Sequence, residues 1–310
     1  MKKLLIAQDI GGSKAESVLF SENGEILHRV VEHGVNALDK GCQAAVECCT
    51  YGASAVTAGE KIRGIYCGIA GGHYYSSQLT DALQMLFPDA AVRATSDMPM
   101  LISAMLGHVD GAGMICGTGT SLCIRQGESI SQVGGYGYSI DNRAGGYDLG
   151  RKAIYAALRE KDGRGKRTLL TALLEERMGD KVEDFVPKLY EGGISFIASF
   201  APVVFAARKA GDEVASDIFE RGAAHLAEMA TAAGNKLGGA YTLVLNGGIF
   251  AHFPEYVQAF ANKIPKSVRL LQSDAPPILG AAVEAMWQCG IPCDEAWRIR
   301  FLEIYRKLYV

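Results

Sequence analysis

Cysteine is scarce in this chain, with eight among 310 residues, which excludes the dense disulfide framework of a small secreted domain. The adjacent Cys48 and Cys49 lack the spacing of a zinc site. Lys and Arg form no long block and the net charge is -3, so nothing favours nucleic acid as a partner. Long hydrophobic runs are also missing, since even ISFIASFAPVVFAARKAG is closed off by charge before membrane length. We expect reduced thiols and small-molecule partners, with no nucleic acid and no membrane.

The N-terminal stretch MKKLLIAQDIGG begins like a secretory signal, but its apolar run stops at Gln8 and Asp9, too early for a signal-peptide core. A cytoplasmic location is therefore expected. The composition is 49% hydrophobic and 21% charged, which is typical of globular proteins. The length allows two modest domains or one large one.

The first third of the chain predicts the order βββαβαβα. Three strands are predicted at KLLIAQD, KAESVLF and EILHRVVE. The first is a short apolar run, and the other two flank the hairpin turn ENG. Helical periodicity follows from Leu38 to about Ala58. Next come, in order, strand IRGIYCGIA, helix SSQLTDALQMLF, strand AVRATS and helix MPMLISAMLG.

From Gly111 the same order restarts. GAGMICGTGT, SLCIRQ and ESISQVGG predict three short strands, and helices fill Gly145 to Leu237. Strand YTLVLNGG, helix PEYVQAFANKI, strand SVRLLQS and helix PPILGAAVEAMWQCG complete an α/β pattern. The sequence therefore predicts one fold used twice, with a helical insertion in the second copy.

A glycine turn, DIGGSK, follows the first strand. It is not a dinucleotide fingerprint, because the third glycine is missing and an alternating strand follows instead of a helix. The turn can still present backbone N–H groups and the Ser13 hydroxyl to phosphate oxygens, with Asp9 directed toward Mg2+. The alternative is a tight hairpin turn that binds nothing.

Two more glycine motifs strengthen the phosphate interpretation. CGTGTS, at Cys116 to Ser121, repeats the turn at the equivalent place in the second half. Two such turns facing each other would position a nucleotide and neutralise its charge, as phosphoryl transfer requires. LVLNGGIF adds a glycine pair at a strand end, where open α/β sheets bind ligands.

DIGGSK, CGTGTS and LNGGIF, in this order on a duplicated pattern, resemble the actin-like ATPase superfamily of hexokinases and sugar kinases. Within it the chain is most similar to the N-acetylglucosamine kinase family and the related BadF/BadG/BcrA/BcrD-type ATPases. Further matches are GVNALDKG, SDMPMLISA, GGYGYSIDNRAGGYDLGRKAI and GDEVASDIFERGAAHLA, so the resemblance covers nearly the whole length. It implies an α/β fold of two actin-like ATPase (ribonuclease H-like) domains with a cleft between them. We expect a first domain over 1–110, a second over 111–291, and a helix over 292–310 that packs back on the first.

The resemblance also implies an ATP-dependent kinase that phosphorylates an amino sugar and uses ATP and Mg2+. Asp9 would face the metal and Asp97 would be the catalytic base. The implied nucleotide contacts are Asp9, Gly11, Gly12, Ser13, Lys14, Gly117, Thr118, Gly119, Gly247 and Gly248, the last two along the adenosine. The implied sugar contacts are Asn36, Ala37, Asp97, Thr120, Ser121, Gly135, Tyr136, Gly137, Asn142 and Arg143.

The chemistry assigned to Asp97 can be argued from the residues as well. A sugar hydroxyl that attacks a γ-phosphate needs a proton acceptor, and a carboxylate at a helix start remains ionised. The alternative is that Asp97 only caps the helix that begins in TSDMP, with Ser96 competing for that role. Asn36 can likewise cap the helix that follows it.

Two acids of the family's Gly-Asp-Glu-Gly-Ser run are replaced here, Asp by Asn142 and Glu by Arg143. An arginine only donates hydrogen bonds and pairs best with a carboxylate. We therefore hypothesise that the enzyme accepts an anionic amino sugar such as N-acetylmuramic acid. In the alternatives, Asp141 takes the sugar position and pairs with Arg143, or Arg143 points to solvent.

The sequence also allows two alternative functions, and several further residues can be interpreted individually. A BadF-type ATPase that activates a partner enzyme could hold an iron-sulfur cluster at Cys116, although Cys116 and Cys123 are expected to be buried. A sugar-sensing regulator is disfavoured by the lack of a basic face. His73 is interpreted as a loop histidine, and a homodimer is among the candidate assemblies. Helical spacing predicts a packing stripe at Trp297, Phe301, Ile304, Tyr305 and Leu308.

Overall fold

The computed structural model describes residues 3–141 and 143–309. They form two compact units. The first contains the chain up to Asp110, the short segment Arg125–Ser129, and everything from Ser273 onward. The second contains Gly111–Ile124 and Ile130–Gln272.

Each half of the chain forms a five-stranded sheet. The strands are β1 Leu4–Ile10, β2 Lys14–Ser21, β3 Ile26–His33, β4 Ile62–Ile69, β5 Ala91–Ser96, β6 Gly111–Cys116, β7 Thr120–Gln126, β8 Ser129–Val133, β9 Tyr241–Asn246 and β10 Val268–Gln272. The strand order of the first sheet is β3-β2-β1-β4-β5. The order of the second is β10-β9-β6-β7-β8, which, read from the β8 edge as β8-β7-β6-β9-β10, repeats the order of the first. The prediction of one α/β fold used twice is therefore confirmed.

The helices are α1 Ala37–Lys40, α2 Cys42–Thr57, α3 Ser76–Leu86, α4 Met98–Leu106, α5 Gly146–Lys161, α6 Leu169–Met178, α7 Val186–Ala198, α8 Ala201–Lys209, α9 Glu213–Leu237, α10 Gly248–His252, α11 Pro254–Ala261, α12 Pro277–Gln288 and α13 Glu295–Tyr309. The single helix predicted from Leu38 to about Ala58 is interrupted at Gly41, whose φ of 86° is left-handed and separates α1 from α2. Helices α5 to α9 form the predicted insertion. The short helix α10 was not predicted.

Strand alternation divides the core of the first unit into two layers. Ile6 and Ile65 pack with apolar residues of α2 and α3, whereas Leu5, Ala7 and Tyr66 pack with α4, α12 and α13. Neighbouring residues on a strand point to opposite faces, so one strand serves both layers. The second unit has its own core, built from β6, β7, β9 and the inserted helices.

Helix α12 belongs to the first unit, which corrects the predicted limit of the second domain at 291. Its residues from Ile278 to Met286 are buried in the layer formed with α4 and α13. Gly280 allows the contact, because a Cβ there would overlap the backbone of Met100 in α4. Close helix packing, which sequence periodicity does not report, therefore decides to which unit α12 belongs.

Among the residues that the structure describes, no single helix is long and apolar enough to cross a membrane. Helices α7 and α8 meet the length and composition criterion only as a pair, bent by 65°.

Candidate active site

Two carboxylates lie at one edge of the first sheet. In the strand register Asp9 of β1 is opposite Gly68 of β4, and Gly68 is opposite Thr95 of β5. Asp97 follows β5 directly. Because β1, β4 and β5 are parallel, their carboxyl ends meet at the same edge. A Cβ at Gly68 would overlap the sulfur of Met100 and lie only 3.1 Å from Asp97 Cα, so a glycine on the middle strand allows the start of α4, with Asp97, to pack closely against it.

The environment of these carboxyls favours their neutral forms. The pKa of Asp9 is raised to about 7, mainly by burial and then by the charges of Asp97 and Glu16, while Lys14 lowers it. Burial also raises the pKa of Asp97, against a hydrogen bond from Ser96. The repulsion between two carboxylates at a half-buried site is reduced when one of them binds a proton or when both lie near a bound cation. Such a site suits a hard divalent ion bound through oxygen.

No group of three His, Cys, Asp or Glu side chains that could hold a metal ion occurs among residues 3–141 and 143–309. Mg2+ does not require one, since it is commonly held by one or two carboxylates together with waters and substrate phosphates. Asp9 therefore fits a Mg2+ ion that arrives with a nucleotide.

Asp97 occupies the N-cap position of helix α4. Its side chain makes no capping hydrogen bond, whereas Ser96 Oγ accepts one from the backbone N–H of Met98 at 3.2 Å. Ser96 Oγ in turn donates to Asp97 Oδ1 at 3.3 Å. The side-chain capping hydrogen bond is therefore made by Ser96 and not by the Asp97 carboxylate.

The DIGGSK turn joins β1 to β2. The N–H of Gly11 donates to the carbonyl of Lys14 at 2.9 Å and closes the turn. Ser13 is exposed, and its hydroxyl has no hydrogen-bond partner in the described part of the chain. The ammonium of Lys14 donates to Glu16 Oε2 at 2.7 Å, a pairing that the sequence did not predict.

The loop that carries Asn36 and Ala37 lies at the same edge of the sheet. Asn36 Oδ1 accepts a hydrogen bond from Leu38 N at 2.9 Å, so Asn36 does cap α1. The N–H of Ala37 donates to Ala70 O, and Ala70 N donates to the Ile10 carbonyl at the end of β1, both at 2.8 Å. These bonds tie the Asn36 loop to the strand that carries Asp9.

His73 lies in a short 3-10 turn, Gly72–Tyr75, directly after β4. Its ring is exposed and stacks on Tyr74, with 3.8 Å between the ring centroids. Burial lowers the pKa of His73. His73 therefore lies in the segment between β4 and α3, as predicted, and its ring contacts an aromatic neighbour.

The second unit holds the GTGTS turn against the start of α5. The Gly117 N–H donates to Gly119 O at 2.9 Å, and the carbonyl of Gly117 accepts from Gly146 N at 2.7 Å. Thr118 O accepts from Tyr147 N at 2.9 Å. A Cβ at Gly117 would meet nothing within 4 Å, so this side of the turn is open.

The glycine pair after β9 lies against the end of β6. Gly247 has a φ of 107°, and a Cβ there would overlap the backbone of Cys116. Gly248 begins α10. The structure therefore brings Gly247, Gly248 and the Gly117–Gly119 turn to one edge of the second sheet.

A second loop covers the start of β7. Gly134, Gly135 and Gly137 have φ values of 65°, 75° and 103°, all left-handed. A Cβ at Gly135 would lie 2.6 Å from Ser121 Cβ, so the loop backbone lies directly on Ser121. The predicted sugar contacts Thr120, Ser121, Gly135, Tyr136 and Gly137 thus share one surface, on which Tyr136 is half exposed.

The hydroxyl of Thr120 is already engaged, because it donates to the Sγ of Cys116 at 3.5 Å. Burial raises the pKa of Cys116 to about 12, which keeps the thiol neutral. Cluster ligation requires a thiolate, so this environment does not favour the iron-sulfur alternative. Cys116 acts as a buried hydrogen-bonding neighbour of Thr120.

Asp141 and Arg143, at and beside the positions where the family has acids, have different surroundings. Asp141 Oδ2 accepts a hydrogen bond from the Gly135 N–H at 3.1 Å, so this carboxylate stabilises the glycine loop. Arg143 is exposed and has no ion pair within the described ranges. The alternative in which Asp141 pairs with Arg143 is therefore wrong. Asn142 lies outside the described residues.

Sequence reasoning missed three residues behind the first turn. Glu16 is buried, and its Oε1 accepts hydrogen bonds from Arg29 Nε at 2.6 Å and Tyr305 OH at 2.8 Å. Tyr305 is a member of the predicted packing stripe, but its hydroxyl has this second role. An acid inside the apolar strand KAESVLF was the available indication.

The chain is similar to known proteins along most of its length. A family model described as the BadF/BadG/BcrA/BcrD ATPase family matches residues 9–285. An N-acetylmuramic acid/N-acetylglucosamine kinase from Clostridium acetobutylicum is 27% identical over 230 residues, 72% of this chain and 70% of that protein. An N-acetyl-D-glucosamine kinase from Dictyostelium discoideum is 29% identical over 201 residues, 60% of this chain and 62% of that protein.

A solved structure from Chromobacterium violaceum, provisionally assigned as an N-acetylglucosamine kinase, has a TM-score of 0.67. It is 20% identical, with 90% of this chain and 97% of that one covered. At this identity the likeness shows the fold alone, and it confirms the predicted actin-like ATPase architecture.

Proposed function

We propose, from the premise that the chain belongs to the BadF/BadG/BcrA/BcrD ATPase family, that it is an ATP-dependent kinase of amino sugars. It transfers the γ-phosphate of ATP to a sugar hydroxyl. The names of both curated relatives support an N-acetylglucosamine-like substrate. The observation that carries the proposal is the placement of Asp97, a non-capping carboxylate at the same sheet edge as Asp9.

The first unit supplies the acid-base and metal groups. Asp97 accepts the proton of the attacking hydroxyl, and its raised pKa brings it closer to the range useful for a general base near neutral pH. Asp9 holds Mg2+, which neutralises phosphate charge when it is bound with the nucleotide. The backbone N–H of Gly12 and the hydroxyl of Ser13 contact phosphate oxygens, and Gly11, whose own N–H closes the turn, holds them in place. Asn36 and Ala37 contact the sugar.

The second unit supplies further binding groups. The backbone N–H groups of Thr118 and Gly119 and the Thr118 hydroxyl contact phosphates, because the turn is open at Gly117, whose own N–H closes the turn. Gly247 and Gly248 lie along the adenosine. Ser121 and the Gly135–Gly137 loop contact the sugar, and Thr120, which is buried beside Ser121, supports this surface.

The substrate range includes N-acetylmuramic acid in this proposal. Arg143 is exposed and has no ion pair within the described ranges, so its planar fork can bind a lactyl carboxylate bidentately. One curated relative is named for both N-acetylmuramic acid and N-acetylglucosamine.

The test is a coupled ADP-release assay with Mg-ATP and a panel of neutral and anionic amino sugars. We expect ADP release that depends on N-acetylglucosamine or N-acetylmuramic acid and is lost in Asp97→Asn. Sugar-independent ATP hydrolysis, unchanged in Asp97→Asn, would instead favour an ATPase that activates a partner enzyme. A brown chromophore in the purified protein would point the same way.

A further inference from the structure

A buried carboxylate links the first phosphate turn to the C-terminal helix. Glu16 of β2 is 2% exposed and receives three hydrogen bonds from three elements. Lys14 donates to Oε2 at 2.7 Å, while Arg29 of β3 and Tyr305 of α13 donate to Oε1 at 2.6 Å and 2.8 Å. Tyr305 is 289 residues away in sequence from Glu16, so only the tertiary fold creates this link.

The strand register places this cluster beside the reacting groups. Glu16 is directly opposite Asp9 in the β1–β2 ladder, and directly opposite residues share a face of the sheet. Lys14 lies two residues before Glu16 and therefore on that face as well. Burial alone would raise the pKa of Glu16, but the bonds from Arg29, Lys14 and Tyr305 outweigh it and lower the pKa. Glu16 is thus a fixed anion.

The ammonium of Lys14 remains half exposed although Glu16 holds it. An ammonium has three N–H donors, and the bond to Glu16 uses one of them. The others can donate to a phosphate oxygen at the Gly11–Ser13 turn. Because Glu16 already holds the flexible side chain of Lys14, that side chain loses less conformational entropy when it binds a phosphate.

We propose that Tyr305 is a positioning residue for the nucleotide site: through Glu16, its hydroxyl fixes the ammonium of Lys14 for contact with an ATP phosphate. This inference rests on the proposed function. Tyr305 touches no substrate and acts only through Glu16 and Lys14.

The chain offers a matched control on the same helix. Tyr309 packs edge-on against Tyr305 with 5.5 Å between the ring centroids, and the guanidinium of Arg29 lies 5.7 Å from the Tyr305 ring centroid and 4.4 Å from that of Tyr309. In the described part of the chain Tyr309 has no bond to Glu16. Tyr305→Phe keeps the packed ring and removes only the hydroxyl, so a packing role alone would leave nucleotide binding unchanged.

The test measures binding of a non-hydrolysable ATP analogue by calorimetry, together with KM and kcat. For Tyr305→Phe we expect the Kd of the analogue and the KM for ATP to rise about threefold to tenfold, as for a lost bond to a charged group. The sugar KM and kcat should stay within about twofold, since neither depends on this bond. Tyr309→Phe should match the wild type.

A double-mutant cycle tests whether the effect passes through Lys14. In a Lys14→Met background, Tyr305→Phe should no longer weaken the analogue. Equal affinities of Tyr305→Phe and Tyr309→Phe would overturn the inference, as would a loss that persists without Lys14. A wild-type protein that binds no ATP analogue would overturn the proposed function itself, and this inference with it.

Discussion

Asp97 raises the pKa of Asp9 across one intervening strand. Asp9 is in β1, Asp97 follows β5, and Gly68 of β4 lies between them in the register. Burial is the larger cause, and together the effects raise the pKa of Asp9 to about 7. Without a bound cation, the protein therefore carries a carboxyl that is about half protonated near neutral pH.

This relationship predicts a pH-dependent stability. A raised carboxyl pKa favours folding below the ordinary value of 3.8, and that contribution is lost as the pH rises through about 7. Asp9→Asn removes the charge, so the metal-free variant should be more stable than the wild type at pH 8, on the order of 2 kcal/mol. Urea unfolding at pH 4, 6 and 8 without metal checks this. A difference that does not grow with pH would contradict the assignment.

Removal of the proposed general base should separate chemistry from binding. Asp97→Asn should lower sugar-dependent kcat by at least about 10²-fold while leaving the affinity for an ATP analogue nearly intact. Asp89→Asn, which removes an exposed carboxylate of the same unit, is the control. Near-normal turnover in Asp97→Asn would exclude Asp97 as the base.

The second phosphate turn can be tested without disturbing the fold. Gly117 has an ordinary φ and a Cβ there would meet nothing, so Gly117→Val should keep a near-normal melting temperature. It should weaken an ATP analogue at least about tenfold if phosphate oxygens approach this backbone. Gly247→Val, which would overlap Cys116, is expected to destabilise the protein itself. Unchanged nucleotide affinity in a folded Gly117→Val would move the phosphate site elsewhere.

Backbone strain at Ala144 predicts a stabilising substitution. Ala144 is fully buried with a φ of 68°, a left-handed region that suits glycine. Ala144→Gly should raise the free energy of unfolding by about 0.5 kcal/mol, since relief of strain exceeds the added chain entropy. Ala153→Gly, inside helix α5, should lower it instead. Urea denaturation compares the two, and a loss of similar size in both would disprove the strain.

The charge of Arg143 should set preference between two sugars. Arg143→Glu should lower the ratio of kcat/KM for N-acetylmuramic acid over N-acetylglucosamine by at least about tenfold, because a donor to the lactyl carboxylate becomes a repelling acid. Arg167→Glu, at an exposed loop position, controls for net charge. If the ratio is the same in both variants and the wild type, Arg143 contacts no substrate charge.

Local patterns in the sequence were sufficient to predict the repeated strand order and the glycine turns. Alternation in KAESVLF, the hairpin ENG and the glycines of DIGGSK and CGTGTS act over a few residues, so backbone preference and strand period alone define them. The position of Asp97 at a helix start could also be predicted from TSDMP. The family resemblance then related these turns to phosphate and sugar chemistry.

Only the tertiary structure decided which distant groups meet. The closeness of Asp9 and Asp97 depends on the parallel pairing of β1, β4 and β5, and the bond from Tyr305 to Glu16 depends on where α13 packs. The place of α12 depends on its burial in the layer with α4 and α13, where Gly280 allows close contact with Met100. These contacts join residues that are far apart in sequence, and strand register and close packing determine which of them pair. Neither strand register nor close packing produces a periodic pattern in the sequence from which the pairing could be predicted.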